Sequence, residues 1–114
     1  MLNTNDARIS FTSNTSSGLN ILVQGIRWKK GDRIILGDAE FPANVYPFMN
    51  LKDIGVEIDF VKSENGIVTA DDLIHTISPK TKIISISFVQ FLSCYRIDLE
   101  KLGTTCKEKG IIIS

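Results

Sequence analysis

Apolar positions along this chain switch repeatedly between the spacing of a strand and the spacing of a helix. Arg8 to Thr12 alternates polar and apolar, whereas Leu19, Leu22, Val23 and Ile26 recur at the three- and four-residue intervals of one helical face. The pattern predicts a strand over 8–12, a reversal through Asn14 to Gly18, and a first helix beyond it. Gly31-Asp32 marks a turn, and Arg33 to Leu36 is a short apolar run of the kind buried on both faces. Asn44 is expected to cap a second helix reaching about Ile54, with Pro47 accommodated in its first turn and Gly55 as its stop. Val56, Ile58 and Phe60 then alternate with Glu57 and Asp59, predicting a strand with one wetter face near the sheet edge.

The second half repeats the scheme. Glu64-Asn65-Gly66 turns the chain, and Thr69 to Asp72 forms a capping box with aspartate in its third position, opening a short helix over Leu73, Ile74 and Ile77 that Ser78-Pro79 ends. Thr81 to Val89 is the most hydrophobic strand candidate. Asp98 caps a last helix whose face is Leu99, Leu102 and Cys106, Gly110 stops it, and Ile111 to Ser114 begins one more strand. Alternation of strand and helix throughout selects an α/β fold of three layers, with a mostly parallel sheet and right-handed crossovers. Neither a repeat nor a linker divides the chain. Its last strand holds four residues where five or six are usual, so the expectation is a single partial domain over 1–114, truncated at both ends.

Composition removes several classes of function. Thirteen basic residues balance thirteen acidic ones, which takes away the long-range attraction of a nucleic-acid or anionic-membrane binder. No apolar run approaches the roughly 20 residues of a membrane span, and the polar amino terminus lacks a signal-peptide core, so a cytoplasmic protein is expected. Cys94 and Cys106 stand twelve positions apart with no Cys-x-x-Cys pair and a single histidine, His75, which leaves no zinc ligand set. Cys106 is expected to act as a small hydrophobe and His75 as a solvated helix residue.

The candidate chemistry lies in Phe11 to Asn20. A strand end, a hydroxyl-rich reversal and a helix start bring unpaired backbone amides and the positive end of the helix dipole to one place, which suits an anion such as phosphate. Thr15, Ser16 and Ser17 add hydroxyl donors. The same residue types also make an ordinary N-cap. Neither the Gly-x-x-x-x-Gly-Lys-Ser/Thr loop nor the Gly-x-Gly-x-x-Gly turn is present.

Taken in order, three segments resemble the class V aminotransferase and cysteine desulfurase family of pyridoxal-phosphate enzymes, of fold type I. Phe11 to Asn20 is similar to the family's phosphate cup, Ala39 to Asn44 to its ring-stacking segment, and Ser87 to Ser93 with Arg96 to Leu99 to its mid-domain strand and helix start. The resemblance implies part of a large domain that binds pyridoxal 5'-phosphate. Thr15 and Ser16 would hold the phosphate, and Phe41 would stack on the ring where desulfurases place histidine, or else anchor the loop beside Pro42. Gln90 would substitute for the asparagine that desulfurases have where Phe91 falls. Relatives tend to have glycine where Cys94 stands, so a turn there would be strained by the side chain.

The resemblance further implies a small amino-acid or amine substrate and a homodimeric parent enzyme carrying out transamination, desulfuration, elimination or epimerisation. The Schiff-base lysine and the aspartate that pairs with the pyridinium nitrogen are expected outside these 114 residues, leaving the isolated chain inactive and without catalytic residues of its own. Two alternatives are a truncated non-catalytic remnant and a flavodoxin-like phosphate-binding module.

Overall fold

Ile34, Ile35 and Leu36 are adjacent and each has no exposed surface, so the strand they form has no wet face. This strand, β1 (Arg33–Gly37), lies between β2 (Glu57–Val61) and β3 (Thr81–Ser85), and β4 (Ile112–Ile113) follows beyond β3. All three pairings are parallel. The structure, a computed structural model, describes residues 5–114.

Alternation along the strands sorts the core into two layers. Ile34, Leu36 and Ile83 point to one face, where α1 (Thr15–Gly25) supplies Leu19 and Val23 and the segment after α2 (Tyr46–Met49) supplies Leu51, with Phe48 from α2 itself. Ile35 and Ile84 point to the other, under Leu73 of α3 (Ala70–Thr76) and Leu102 and Cys106 of α4 (Leu99–Lys109). Each fully buried leucine contributes about 1.5–3 kcal/mol. Burial also pushes the Cys106 thiol up from its ordinary range. Arg33 binds Asp59 and Glu57 across the β1–β2 seam, and the hydrogen bond and charge of Asp59 hold its guanidinium still more firmly protonated.

From β1 the chain moves outward to β2 on the α2 face, then returns past β1 to β3 and on to β4 beneath α3 and α4. Reversing direction while changing face keeps one hand of crossover. The reversal leaves a crevice between the carboxyl ends of β1 and β3, where ligands of open parallel sheets collect.

The local signals that match are those carried by caps and turns. Asp72 N donates to Thr69 Oγ1 at 3.2 Å and Thr69 N to Asp72 Oδ2 at 2.8 Å, completing the capping box. Hydrogen bonds from the Thr69 side chain and backbone hold the Asp72 carboxyl below its ordinary range. Asp98 caps α4 by accepting from Lys101 N at 3.0 Å, and Gly110 closes it at φ 67°. Asn65 and Gly66 both take positive φ in the turn after β2. β2 is an edge strand, and His75 is exposed.

Three expectations are corrected. No strand forms over 8–12: Asp6–Arg8 is a 3-10 turn, and Ile9 and Phe11 are exposed, so among the described residues the alternation has neither a partner strand nor a core to face. The second helix is broken into a 3-10 turn (Pro42–Asn44), the four residues of α2 and another 3-10 segment (Asn50–Ile54). Pro47 has no N–H to bond backward, and Asn44 spends its side chain on Ser85 and Glu40 instead of capping. Finally, β3 stops at Ser85 rather than Val89, because the Ser87 amide leaves the ladder to reach the Glu40 carboxylate at 2.9 Å.

Candidate functional site

The crevice is a cleft of about 330 Å³ lined by Thr15 and Leu19 of α1, by Phe41, Ala43 and Asn44 after β1, and by Ile86, Ser87 and Ser114 at the ends of β3 and β4. Four elements meet there because each delivers its end to the same side of the sheet. Ser114 is set in place by two ladder bonds, its amide donating to Ile84 O at 3.0 Å and its carbonyl accepting from Ile86 N at 2.9 Å.

The first turn of α1 is the polar end of the cleft. Asn14 Oδ1 accepts from Ser17 N at 2.8 Å, and Gly18 N donates to Asn14 O at 3.2 Å, so the cap accounts for two amides. Among the described residues the Thr15 and Ser16 amides have no acceptor, and no acidic residue sits in this turn to offset the helix dipole. Asn14 thus makes the ordinary N-cap, and among the described residues the Thr15 and Ser16 amides are left over by it. Ser17 is engaged by Ser13 Oγ at 3.2 Å.

Of the sequence-derived site residues, Thr15 and Phe41 are brought together on the cleft wall. Phe41 is 49% exposed, which leaves a ring face for stacking, and it meets Phe91 edge-on with centroids 5.2 Å apart. Ser16 is adjacent but lines a neighbouring groove with Asn20, Ala43, Tyr46, Pro47 and Asn50. Gln90 is not brought to the cleft. It is buried, its Oε1 accepts from Val68 N at 3.0 Å and its Nε2 donates to Val68 O, so both ends of the amide are spent on one backbone position. Cys94 does take the left-handed conformation, at φ 55°, with its amide donating to Gln90 O at 2.9 Å.

Sequence reasoning passed over Glu40 and Ser87. Glu40 accepts from Ser87 N at 2.9 Å, from Ser87 Oγ at 2.6 Å and from Asn44 Nδ2 at 3.0 Å. A signal existed: Ser85 and Ser87 are polar positions two apart at the end of the most apolar strand, facing the side from which Asn44 and Glu40 approach.

Comparison with known proteins fits this geometry. The sequence pattern of "Aminotransferase class-V" matches residues 1–114. The chain belongs to the class-V aminotransferase family. A probable cysteine desulfurase of Ureaplasma parvum is 40% identical over 87 residues, which are 74% of this chain and 22% of that protein. The apo cysteine desulfurase of Thermococcus onnurineus superposes with a TM-score of 0.78 at 24% identity, covering 90% of this chain and 26% of that one. C-DES, solved in mutant form with glycine covalently linked to its PLP cofactor, gives 0.75 at 21% identity over 88% of this chain and 27% of that one. The chain thus spans less than a third of the length of each. These superpositions place its sheet and helices within the fold of that family.

Pyridoxal phosphate is the cofactor of class-V aminotransferases, which act on amino acids. The cleft suits such a group: two unclaimed amides at an unopposed helix N-terminus for the phosphate, and a half-exposed aromatic face a short distance along the wall for the ring. The flavodoxin-like alternative gives way to a family match over the whole chain.

Proposed function

We propose that residues 1–114 form the phosphate- and ring-binding part of the large domain of a class-V pyridoxal-phosphate enzyme acting on a small amino acid or amine. The observation that carries the reading is the convergence of the α1 N-terminus, Phe41 and the end of β4 on one cleft at the switch point of the sheet. Thr15 binds phosphate through its hydroxyl and amide, and Ser16 adds its amide. Phe41 stacks on the ring but, being a hydrocarbon, moves no proton, which separates this protein from a desulfurase with histidine there. Ile86, Leu19 and Ala43 give the cleft an apolar stretch of wall.

When bound, the cofactor supplies an electron sink for carbanion chemistry. That chemistry also needs a lysine to attach the cofactor and an acid to pair with its ring nitrogen. The sole histidine, His75, is followed by Thr76, so no Ser-x-His-Lys setting occurs in these residues, and among the described residues no aspartate lines the cleft. The 114 residues alone therefore bind without turning over. The parent enzyme is read as a cytoplasmic homodimer performing transamination, desulfuration, elimination or epimerisation, and the two free thiols accord with a reducing compartment.

Titration with pyridoxamine 5'-phosphate, which is fluorescent and forms no adduct with surface lysines, tests the reading. Saturable binding that inorganic phosphate competes away is expected, and Thr15→Ala should weaken it about two- to tenfold, the worth of one hydrogen bond. Flavin or nucleotide binding without pyridoxamine phosphate binding would overturn it.

A further inference from the structure

Glu40 stands one residue before Phe41 and is the point where the loops leaving β1 and β3 are tied together. Its Oε1 accepts from Ser87 N, and its Oε2 accepts from both Ser87 Oγ and Asn44 Nδ2. Asn44 in turn accepts from Ser85 Oγ through Oδ1. The arrangement is a ladder of two rungs. Glu40 and Asn44 are four residues apart, Ser85 ends β3 and Ser87 lies two residues beyond it, and the rungs cross the crevice between β1 and β3.

Three hydrogens of this network are donated to the carboxylate, and a fourth, from Ser85 Oγ, goes to the Asn44 amide oxygen. An ionised glutamate, an acceptor with two oxygens, satisfies all three donors, whereas a glutamine would turn an NH₂ group toward at least one of them. Both residues held by the ladder, Ser87 and Asn44, lie on the cleft wall, as does Phe41 beside Glu40 in sequence, while Glu40 itself is not in the lining.

We propose that Glu40 is a positioning residue of the cleft, fixing Ser87 and the Phe41 ring in the places from which they meet a ring-bearing ligand. This rests on the reading that the cleft takes a phosphorylated aromatic ring, but it makes a separate demand. The α1 phosphate site has no member in the ladder, so loss of Glu40 should affect the ring and spare the phosphate.

Two measurements on the full 114-residue chain test it. In the first, Glu40→Gln and wild type are titrated with pyridoxamine 5'-phosphate and with inorganic phosphate. The variant should bind the former at least tenfold more weakly and the latter within twofold of wild type. A general loss of structure would weaken both alike, and either that result or unchanged affinity for both overturns the proposal. In the second, amide hydrogen exchange is followed without ligand: the Ser87 amide should exchange at least tenfold faster in Glu40→Gln while the Ile84 amide keeps its rate. Unchanged protection at Ser87 overturns the proposal whatever the wild type binds. Wild type that binds neither ligand overturns the proposed function instead, and the exchange rates still decide whether Glu40 holds Ser87.

Discussion

The α3–α4 side of the sheet and the cleft at its carboxyl end are built by opposite means. Beneath α3 and α4, Ile35, Ile84, Leu73, Leu102 and Cys106 pack as side chains of similar kind, repeated at strand and helix periods and secured by caps at Thr69 and Asp98. Around the cleft, Phe41 remains half-exposed and meets the exposed Phe91 edge-on, and polar contacts of Glu40 with Ser87 and Asn44 set the shape. One region gains stability from redundancy; the other spends individual residues to make a surface. Substitutions should accordingly be graded by volume in the first and by lost partners in the second.

The largest effect is expected on the α4 side. Leu102→Ala removes a fully buried side chain and should cost about 2–5 kcal/mol, a large share of the total stability of a domain this size. Urea denaturation followed by Trp28 fluorescence measures it. A cost below about 1 kcal/mol would show that this layer is looser than its packing indicates. Gln90→Ala, where one polar side chain meets the same core at Val68, leaves the buried Val68 N–H and C=O without partners and should cost about 1–3 kcal/mol in the same assay, although it removes little apolar surface.

Smaller effects sharpen the contrast. Because Asp72 is held below its unfolded carboxyl range, its contribution is present above the unfolded value and lost as pH falls through the folded one. Thermal melts of Asp72→Asn should therefore show less destabilisation than wild type between neutral and acid pH. Equal acid sensitivity would remove the capping box from the account. Cys94→Gly relieves a left-handed conformation costing about 1–2 kcal/mol, offset in part by about 0.5–1 kcal/mol of glycine entropy, so a gain of about 0–1.5 kcal/mol is expected in urea. A loss would mean that the Cys94 side chain packs usefully on the loop.

The same division governs what could be read from the sequence. β1, β3, the caps of α3 and α4 and the turn at Asn65-Gly66 were legible because period, cap chemistry and positive-φ preference act within a few residues. The edge position of β2 followed from its alternation. The start of α1 at Thr15 was legible for the same local reason. By contrast, the strand expected over 8–12 needs a neighbour that no local pattern reveals, and the break at Tyr46–Met49 depends on Asn44 being drawn away to Ser85, 41 residues further on. Gln90 shows the same limit: its amide is claimed by Val68, a contact 22 residues away, and not by the cleft.

One property of the cleft wall bears on what it can safely hold. Among the described residues that line it there is no lysine, so the proposed anion end would rely on backbone amides and hydroxyls. An aldehyde-bearing guest seated there meets no primary amine in that wall, and a reactive carbonyl can be kept at the site intact until an amine is brought to it from elsewhere.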